Sequence, residues 1–323
     1  MIARLSTSQV SRSVAISIGL AVMLSCPIPA QGQKKTIEGI GPAGKVKRID
    51  AKFDFTEGPV WINESLYFTD IPKQRIHRLD SDGKVHVFVE PSKHANGLFA
   101  HASGEIYACQ MDGRLAAYSA DGKQERVLVE KYGEHRFNAP NDLVIDRQGG
   151  VYFTDPAFRA PMPVPQGKTC VYYLSTDGEV TRLIENLPNP NGVILSPDEK
   201  TLYVIPSGQA EMMAYSVQSP GTVTDGRVFC KLEQAPGERN RGGDGLTVDR
   251  DGNLYITSKL GLQVFDPEGR LLGIIKTPEQ LPEQPANVTF GGKDLKTLYV
   301  TARTGVYKMP MHAEGHRFPA GAK

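Results

Sequence analysis

The stretch from Asn138 to Asp155, NAPNDLVIDRQGGVYFTD, decides how the chain is read. A polar pair, Asn141-Asp142, precedes an apolar run of β type, Leu143-Val144-Ile145. A turn follows, Asp146-Arg147-Gln148-Gly149-Gly150, and then a second β run, Val151-Tyr152-Phe153-Thr154. This is a hairpin with a carboxamide and a carboxylate at its entrance.

The unit recurs. Glu57-Gly58-Pro59-Val60-Trp61 leads to Leu66-Tyr67-Phe68-Thr69-Asp70, and Asn96-Gly97-Leu98-Phe99 leads to Glu105-Ile106-Tyr107-Ala108. Asn191-Gly192-Val193-Ile194-Leu195 precedes Thr201-Leu202-Tyr203-Val204, and Asp244-Gly245-Leu246-Thr247-Val248 precedes Asn253-Leu254-Tyr255-Ile256-Thr257. A last copy joins Ala286-Asn287-Val288-Thr289-Phe290 to Thr297-Leu298-Tyr299-Val300-Thr301. Six copies spaced by roughly 40–50 residues, with further short strands behind each, are the pattern of propeller blades.

The strands behind each hairpin carry Asp-Gly or Glu-Gly pairs at residues 82–83, 121–122, 177–178 and 268–269, which predict two-residue turns with positive φ. No stretch has a helical period. The fold class is therefore all-β, a six-bladed β-propeller. The segment Lys45 to Ala51 alternates as a strand but has no partner in the first repeat. In a closed ring it would complete the last blade.

The 323 residues include 37 Lys+Arg against 36 Asp+Glu, a balance that offers nucleic acid no basic field. Nucleic-acid partners are not expected. Arg4 and Arg12 precede an apolar run from Val14 to Leu24 that is short for a membrane span, with small residues and a cleavage edge near Ala30. The expected organisation is a signal peptide over 1–30, a lead-in over 31–44 and one propeller over 45–323. The mature chain would be secreted or periplasmic, with no membrane span, as a monomer or weak dimer. Cys109, Cys170 and Cys230 have no metal-ligand spacing and read as single buried thiols.

At the start of each inner strand one position can face the central channel: Glu57, Asn96, Asn141 with Asp142, Asn191, Asp244 and Asn287. All bear side-chain oxygen where their strand neighbours are apolar. One Asn-Gly is an ordinary turn former; six positions in register at a channel mouth need a cation or water to satisfy them. Oxygen donors without clustered His or Cys suit a hard cation such as calcium or magnesium. The loops Ala157 to Lys168, with Pro161, Pro163 and Pro165, and Gln234 to Gly243 flank these positions and are candidate walls.

Glu57-Gly58-Pro59, Asn138-Ala139-Pro140-Asn141-Asp142, Pro190-Asn191-Gly192 with Ser196-Pro197-Asp198, and Asp244-Gly245 together resemble the senescence marker protein (regucalcin)/gluconolactonase family. The closing Asn287 to Gly292 and Thr297 to Thr301 are similar to its bacterial lactonases, and the resemblance runs from about Ala51 to Tyr307. It implies a metal-dependent lactonase with one divalent ion near the axis. Calcium is expected first, with zinc, magnesium or manganese as alternatives. Glu57, Asn141, Asn191 and Asp244 match the family's metal-binding positions, and Asp244 also matches its catalytic acid residue. Ala139 stands where some members have Arg, which makes Arg136 the candidate to supply that cation. Asn96, Arg136, Asp142 and Asn287 are the expected substrate-binding residues. The expected substrate is a sugar lactone or related ester. Two other readings share the propeller: a phosphotriesterase or arylesterase with the same metal, and a non-enzymatic calcium-binding propeller. No Gly-x-Ser-x-Gly elbow accompanies the strands, which argues against a serine hydrolase.

Overall fold

Each hairpin unit read from the sequence becomes the inner half of a four-stranded antiparallel sheet. The computed structural model describes Met1 and residues 36–49, 51–277 and 279–318; apart from Met1, the expected signal peptide lies outside them. Blade 1 is Thr56–Ile62, Ser65–Asp70, Arg75–Leu79 and Val85–Val89, paired in that order. Blade 2 runs Ala95–Ala100, Ile106–Gln110, Arg114–Tyr118, Glu125–Val129. Blade 3 runs Leu143–Ile145, Val151–Asp155, Cys170–Leu174, Val180–Ile184. Blade 4 runs Pro190–Leu195, Thr201–Pro206, Glu211–Ser219, Thr222–Lys231. Blade 5 runs Leu246–Val248, Leu254–Ser258, Gly261–Phe265, Leu271–Lys276.

Blade 6 closes the ring. Its strands Asn287–Gly291, Thr297–Ala302 and Gly305–Pro310 take Lys47–Arg48 as their outermost member, with Lys47 opposite Lys308 and Arg48 opposite Tyr307. The backbone N–H of Ile49 then donates to Val306 O at 2.7 Å. Each inner strand packs against the inner strands of the two neighbouring blades, and blade 6 packs against blade 1. The result is a closed six-bladed propeller. No helix in the described residues is long and apolar enough to cross a membrane.

The core lies between blades, because each sheet has two apolar faces and only the next blade can cover them. Ile49 and Phe53 join Leu66 and Phe68 of blade 1 with Tyr299 and Val306 of blade 6 in one buried cluster. Trp61 stacks on Tyr299 across the same seam, with ring centroids 5.4 Å apart. The recurring tyrosines, among them Tyr152 and Tyr255, are buried blade core. Cys109, Cys170 and Cys230 are buried free thiols.

The outer turns are longer than the expected two residues. Between Leu79 and Val85 lie residues 80–84, with only Gly83 at positive φ, +82°. An aspartate organises the longer loop: Asp80 Oδ1 accepts the N–H of Lys84, and its carbonyl accepts that of Gly83. A side chain that satisfies the turn's own amides makes the tighter primed turn unnecessary.

Glycine is required where the inner strands converge. Gly58 has φ +48°, and a Cβ there would sit 2.0 Å from the backbone oxygen of Asn96 in blade 2. Gly58→Ala should therefore destabilise the protein by about 2 kcal/mol or more, combining left-handed strain with a clash that no side-chain rotation relieves. Equilibrium urea unfolding measures it; a midpoint equal to that of the parent would show that the neighbouring strands can part.

Candidate active site

Antiparallel pairing would turn alternate inner-strand residues away from the axis, so a local device must aim the polar ones inward. In blades 1, 2 and 4 that device is a bulge. The register breaks between Glu57 and Val60, between Ala95 and Leu98, and between Pro190 and Val193. In blades 2 and 4 the break brackets the polar residue and its following glycine, and in blade 1 it falls directly after Glu57; a bulge re-aims a side chain in this way. In blades 3 and 5 the inner ladder starts only at Leu143 and Leu246, which leaves Asn141 and Asp244 on the segment leading in.

Neighbouring blades are tied together at these residues. Gly97 N–H donates to Asn141 O, Gly192 N–H to Asp244 O and Gly245 N–H to Ala286 O, at 2.7–3.0 Å. Hydroxyls of the second strands add Thr69 Oγ1 to Asn96 O, Thr154 Oγ1 to Asn191 O and Thr257 Oγ1 to Ala286 O. This pattern corrects the register expected in blade 6. The residue equivalent to Asn141 and Asp244 is Ala286, not Asn287. Asn287 instead shares the inner position of Asp142 and Gly245, opposite a second-strand threonine, Thr301.

That one-residue difference sets the polar residues along two hollows on the axis, with the Asn287 side chain between them, hydrogen-bonded to both Glu57 and Asp142. Glu57, Asn96, Asn141, Asn191 and Asp244 line a cavity of about 560 Å³ at the entrance end of the inner strands. Asp142 and Asn287 line a hollow of about 670 Å³ at the opposite end. Arg136 lines neither. Its Nε donates to Phe137 O at 2.9 Å and its Nη2 to Asn138 O at 3.0 Å, so it caps backbone carbonyls beside blade 3. Of the expected substrate-binding residues, only Asn96 faces the entrance cavity.

Both flanking loops do reach that cavity, through Phe158 and Arg159 on one side and Arg241, Gly242 and Gly243 on the other. The Pro-rich loop is held at its far end by buried Gln166. The Gln166 side-chain amide donates to His135 O at 2.8 Å, and its backbone N–H donates to Asn138 Oδ1 at 3.0 Å. Asp155 accepts the N–H groups of Asn138 and Ala139, and Asp70 those of Asp54 and Phe55. Each aspartate thus braces the chain just ahead of a cavity residue, Asn141 or Glu57.

Asn191 is oriented by its neighbours. Ser207 Oγ donates to Gly243 O, so it can only accept from Asn191 Nδ2, at 2.9 Å. The same Nδ2 donates to Asp244 Oδ1 at 2.6 Å. The carboxamide oxygen makes no hydrogen bond with any described residue. Asn141 is 6% exposed, lines the cavity and makes no side-chain hydrogen bond with any described residue. Ser207 was not legible in the sequence, since nothing local marks a serine at the end of a second strand.

The electrostatics are lopsided. Burial raises the Glu57 carboxyl well above its ordinary value, and Asp244 and Asp142 push it further, against an opposing hydrogen bond from Gly58 N–H. Burial also raises Asp142 to about 7, against hydrogen bonds from the amides of Leu143 and Val193. Asp244 rises to about 6 by burial, offset in part by Asn191 and Arg241. Three buried carboxyls with so little positive charge among them form a set that a cation would stabilise. Among the described residues no three His, Cys, Asp or Glu side chains group as a metal cluster. The donors that do fit a hard cation are mixed: the carboxylates of Glu57 and Asp244, and the amide oxygens of Asn141 and Asn191.

Comparison with known proteins agrees with the fold. Residues 55–304 match the family described as SMP-30/Gluconolactonase/LRE-like region. A gluconolactonase of Zymomonas mobilis is 31% identical over an alignment covering 94% of this chain and 98% of its own. A pentonolactonase of Haloferax volcanii is 28% identical, covering 80% and 84%. Among solved structures, a gluconolactonase from Xanthomonas campestris superposes with a TM-score of 0.74 at 32% identity, covering 82% of this chain and 89% of that one.

Proposed function

The chain belongs to the SMP-30/Gluconolactonase/LRE-like family, and from that premise we propose that it is a divalent-metal-dependent lactonase that opens sugar lactones. The observation that carries the reading is the cavity lined by Glu57, Asn141, Asn191 and Asp244, in a chain whose relatives include a gluconolactonase and a pentonolactonase.

Those four side chains would hold one divalent ion, calcium by the chemistry of an all-oxygen donor set. Such an ion, when bound, supplies Lewis acidity to a carbonyl oxygen and makes its developing charge less costly. The chain's own residues do the rest. Asn191, fixed by Ser207, presents its amide oxygen to the cavity and holds Asp244 from the other side. Asp244 accepts a proton from water as the water oxygen bonds to the lactone carbonyl carbon. The ring C–O bond then breaks, and the departing alkoxide oxygen takes that proton. The product is the open hydroxy acid. Phe55, Ile71, Met111 and Pro285 form apolar wall that limits competing water.

Initial rates with a panel of five- and six-membered sugar lactones, aryl esters and phosphotriesters, each with calcium, magnesium, manganese or zinc after chelation, test the reading. Cation-dependent turnover confined to lactones is expected. Turnover of phosphotriesters alone would overturn it. We also propose export through the N-terminal leader, which predicts a mature N-terminus near Gln31 in the periplasmic or secreted fraction.

Proton linkage gives a second expectation. Because Glu57, Asp142 and Asp244 have native pKa values above their unfolded ones, the cation-free fold is favoured at low pH. It loses that stability as pH rises through about 6 and 7. His77, His101 and His316, lowered by burial, act in the opposite sense but not through the cation. The cation-induced gain in melting temperature should therefore be larger at pH 7.5 than at pH 5, by several degrees. Paired melts with and without calcium read it, and an equal gain at both pH values would contradict the ligand set.

A further inference from the structure

The mouth of the entrance cavity carries three cations, Arg159, Arg241 and Lys259. Two share one acid. Lys259 Nζ pairs with Glu238 Oε1, and Arg241 Nη1 lies 3.7 Å from the same oxygen. Arg159 makes no ion pair or hydrogen bond with any described residue. Three positive charges against the one carboxylate of Glu238 leave the mouth with an excess of two. In the free protein Glu57 and Asp244, deeper in the cavity, oppose that excess. With a divalent ion on those two carboxylates, the rim charge has no counterpart.

Arg159 is placed there by anchored backbone on both sides. Ala157 N–H donates to Asn189 Oδ1 at 3.2 Å. Ala160 packs against Ile71, Met111 and Ala139, the small apolar cluster that forms the cavity wall. Pro161 follows and restricts the chain further. Phe158, beside it, is 47% exposed on the same rim. An unpaired guanidinium on a held backbone, next to an exposed ring and lining the same cavity as a second arginine, is an arrangement that recognises an anion. A neutral sugar lactone offers it only hydroxyls, which bind the guanidinium no better than water does.

We propose that the substrate of this site is a lactone carrying an anionic group, carboxylate or phosphate, remote from the ring carbonyl. Arg159 meets that anion, and Arg241, which lines the same cavity, assists. This rests on the lactonase reading and narrows it. Arg159 acts on specificity, through KM, and leaves the chemistry at Asp244 unchanged.

The test compares D-glucono-1,5-lactone, its 6-phosphate and a glucaric acid monolactone with a free carboxylate, with calcium saturating and spontaneous hydrolysis subtracted. For the anionic lactones, kcat/KM should exceed that for the neutral one by about tenfold, mostly in KM. The advantage should shrink in 0.5 M salt, because these groups are exposed, and disappear in Arg159→Gln with kcat on the neutral lactone intact. Preference for the 6-phosphate over the carboxylate, or the reverse, identifies the anion. Equal kcat/KM for neutral and anionic lactones, with no effect of Arg159→Gln, overturns the proposal while the lactonase reading stands. If no lactone is turned over, that reading fails, and calorimetry with gluconate and 6-phosphogluconate decides this one. Tighter binding of the phosphate, lost in Arg159→Gln, supports it; equal binding refutes it.

Discussion

Asp244→Asn is expected to lower kcat for lactone hydrolysis by roughly 10²–10⁴-fold even at saturating divalent ion, the usual contribution of a positioned general base. The substitution keeps the shape of the side chain and one of its two oxygens, so the four-donor set loses charge more than shape. The one amide oxygen must choose between the cavity and Asn191 Nδ2, which lies 2.6 Å from Asp244 Oδ1 in the parent. If Asp244 only helped to hold the ion, titrating the variant with excess calcium would bring the rate back. A carboxamide cannot take the proton from water, so the deficit should persist at any calcium concentration. Near-normal turnover by the variant in saturating calcium would falsify the proton-transfer role.

The second large effect concerns ring closure. A chain starting at Phe53 should melt roughly 10–15 °C below one starting at Lys45, and both should melt as single transitions. The longer chain retains Lys47–Arg48 and Ile49. The shorter loses the buried Ile49 side chain, worth about 1.5–3 kcal/mol, and ladder hydrogen bonds worth about 1 kcal/mol each. It also leaves the strand Gly305–Pro310 with an unpaired edge, which favours association with another copy. Matching melts would mean that the seam between blades 6 and 1, with Trp61 on Tyr299 and Phe53 on Phe68, holds without the added strand.

The fold was legible because its information is local. Each hairpin advertises itself through β-branched and aromatic runs around Asp- and Gly-rich turns, and six such units leave few architectures open. The polar positions of blades 1 to 5 were legible for the same reason. Blade 6 was not, because Asn287-Val288 looks like one more polar entrance. Only pairing with Thr301, set by the length of its turn, shows that Ala286 holds the equivalent place. Arg136 was misplaced because three nearby backbone carbonyls claim its guanidinium, a competition that sequence does not display. Phe158, Arg159, Ser207, Arg241 and Lys259 come from loops and second-strand ends whose meeting depends on closure of the ring.

Between the two hollows the inner strands of neighbouring blades pack closely, and the side chains of Glu57, Asn287 and Asp142 are joined by hydrogen bonds. Gly97 lies against Asp142, and Gly192 against Gly245, closely enough that an added Cβ would meet those neighbours at 2.6–3.2 Å. With that linked set of side chains between the hollows, a molecule that enters past Arg159 and Arg241 is expected to leave by the same door. The ring-opened acid is an anion departing through a cationic mouth, and it blocks the next arrival until it has gone. Progress curves should bend before substrate is depleted, with the acid acting as a competitive inhibitor, and slow exit would set the turnover ceiling.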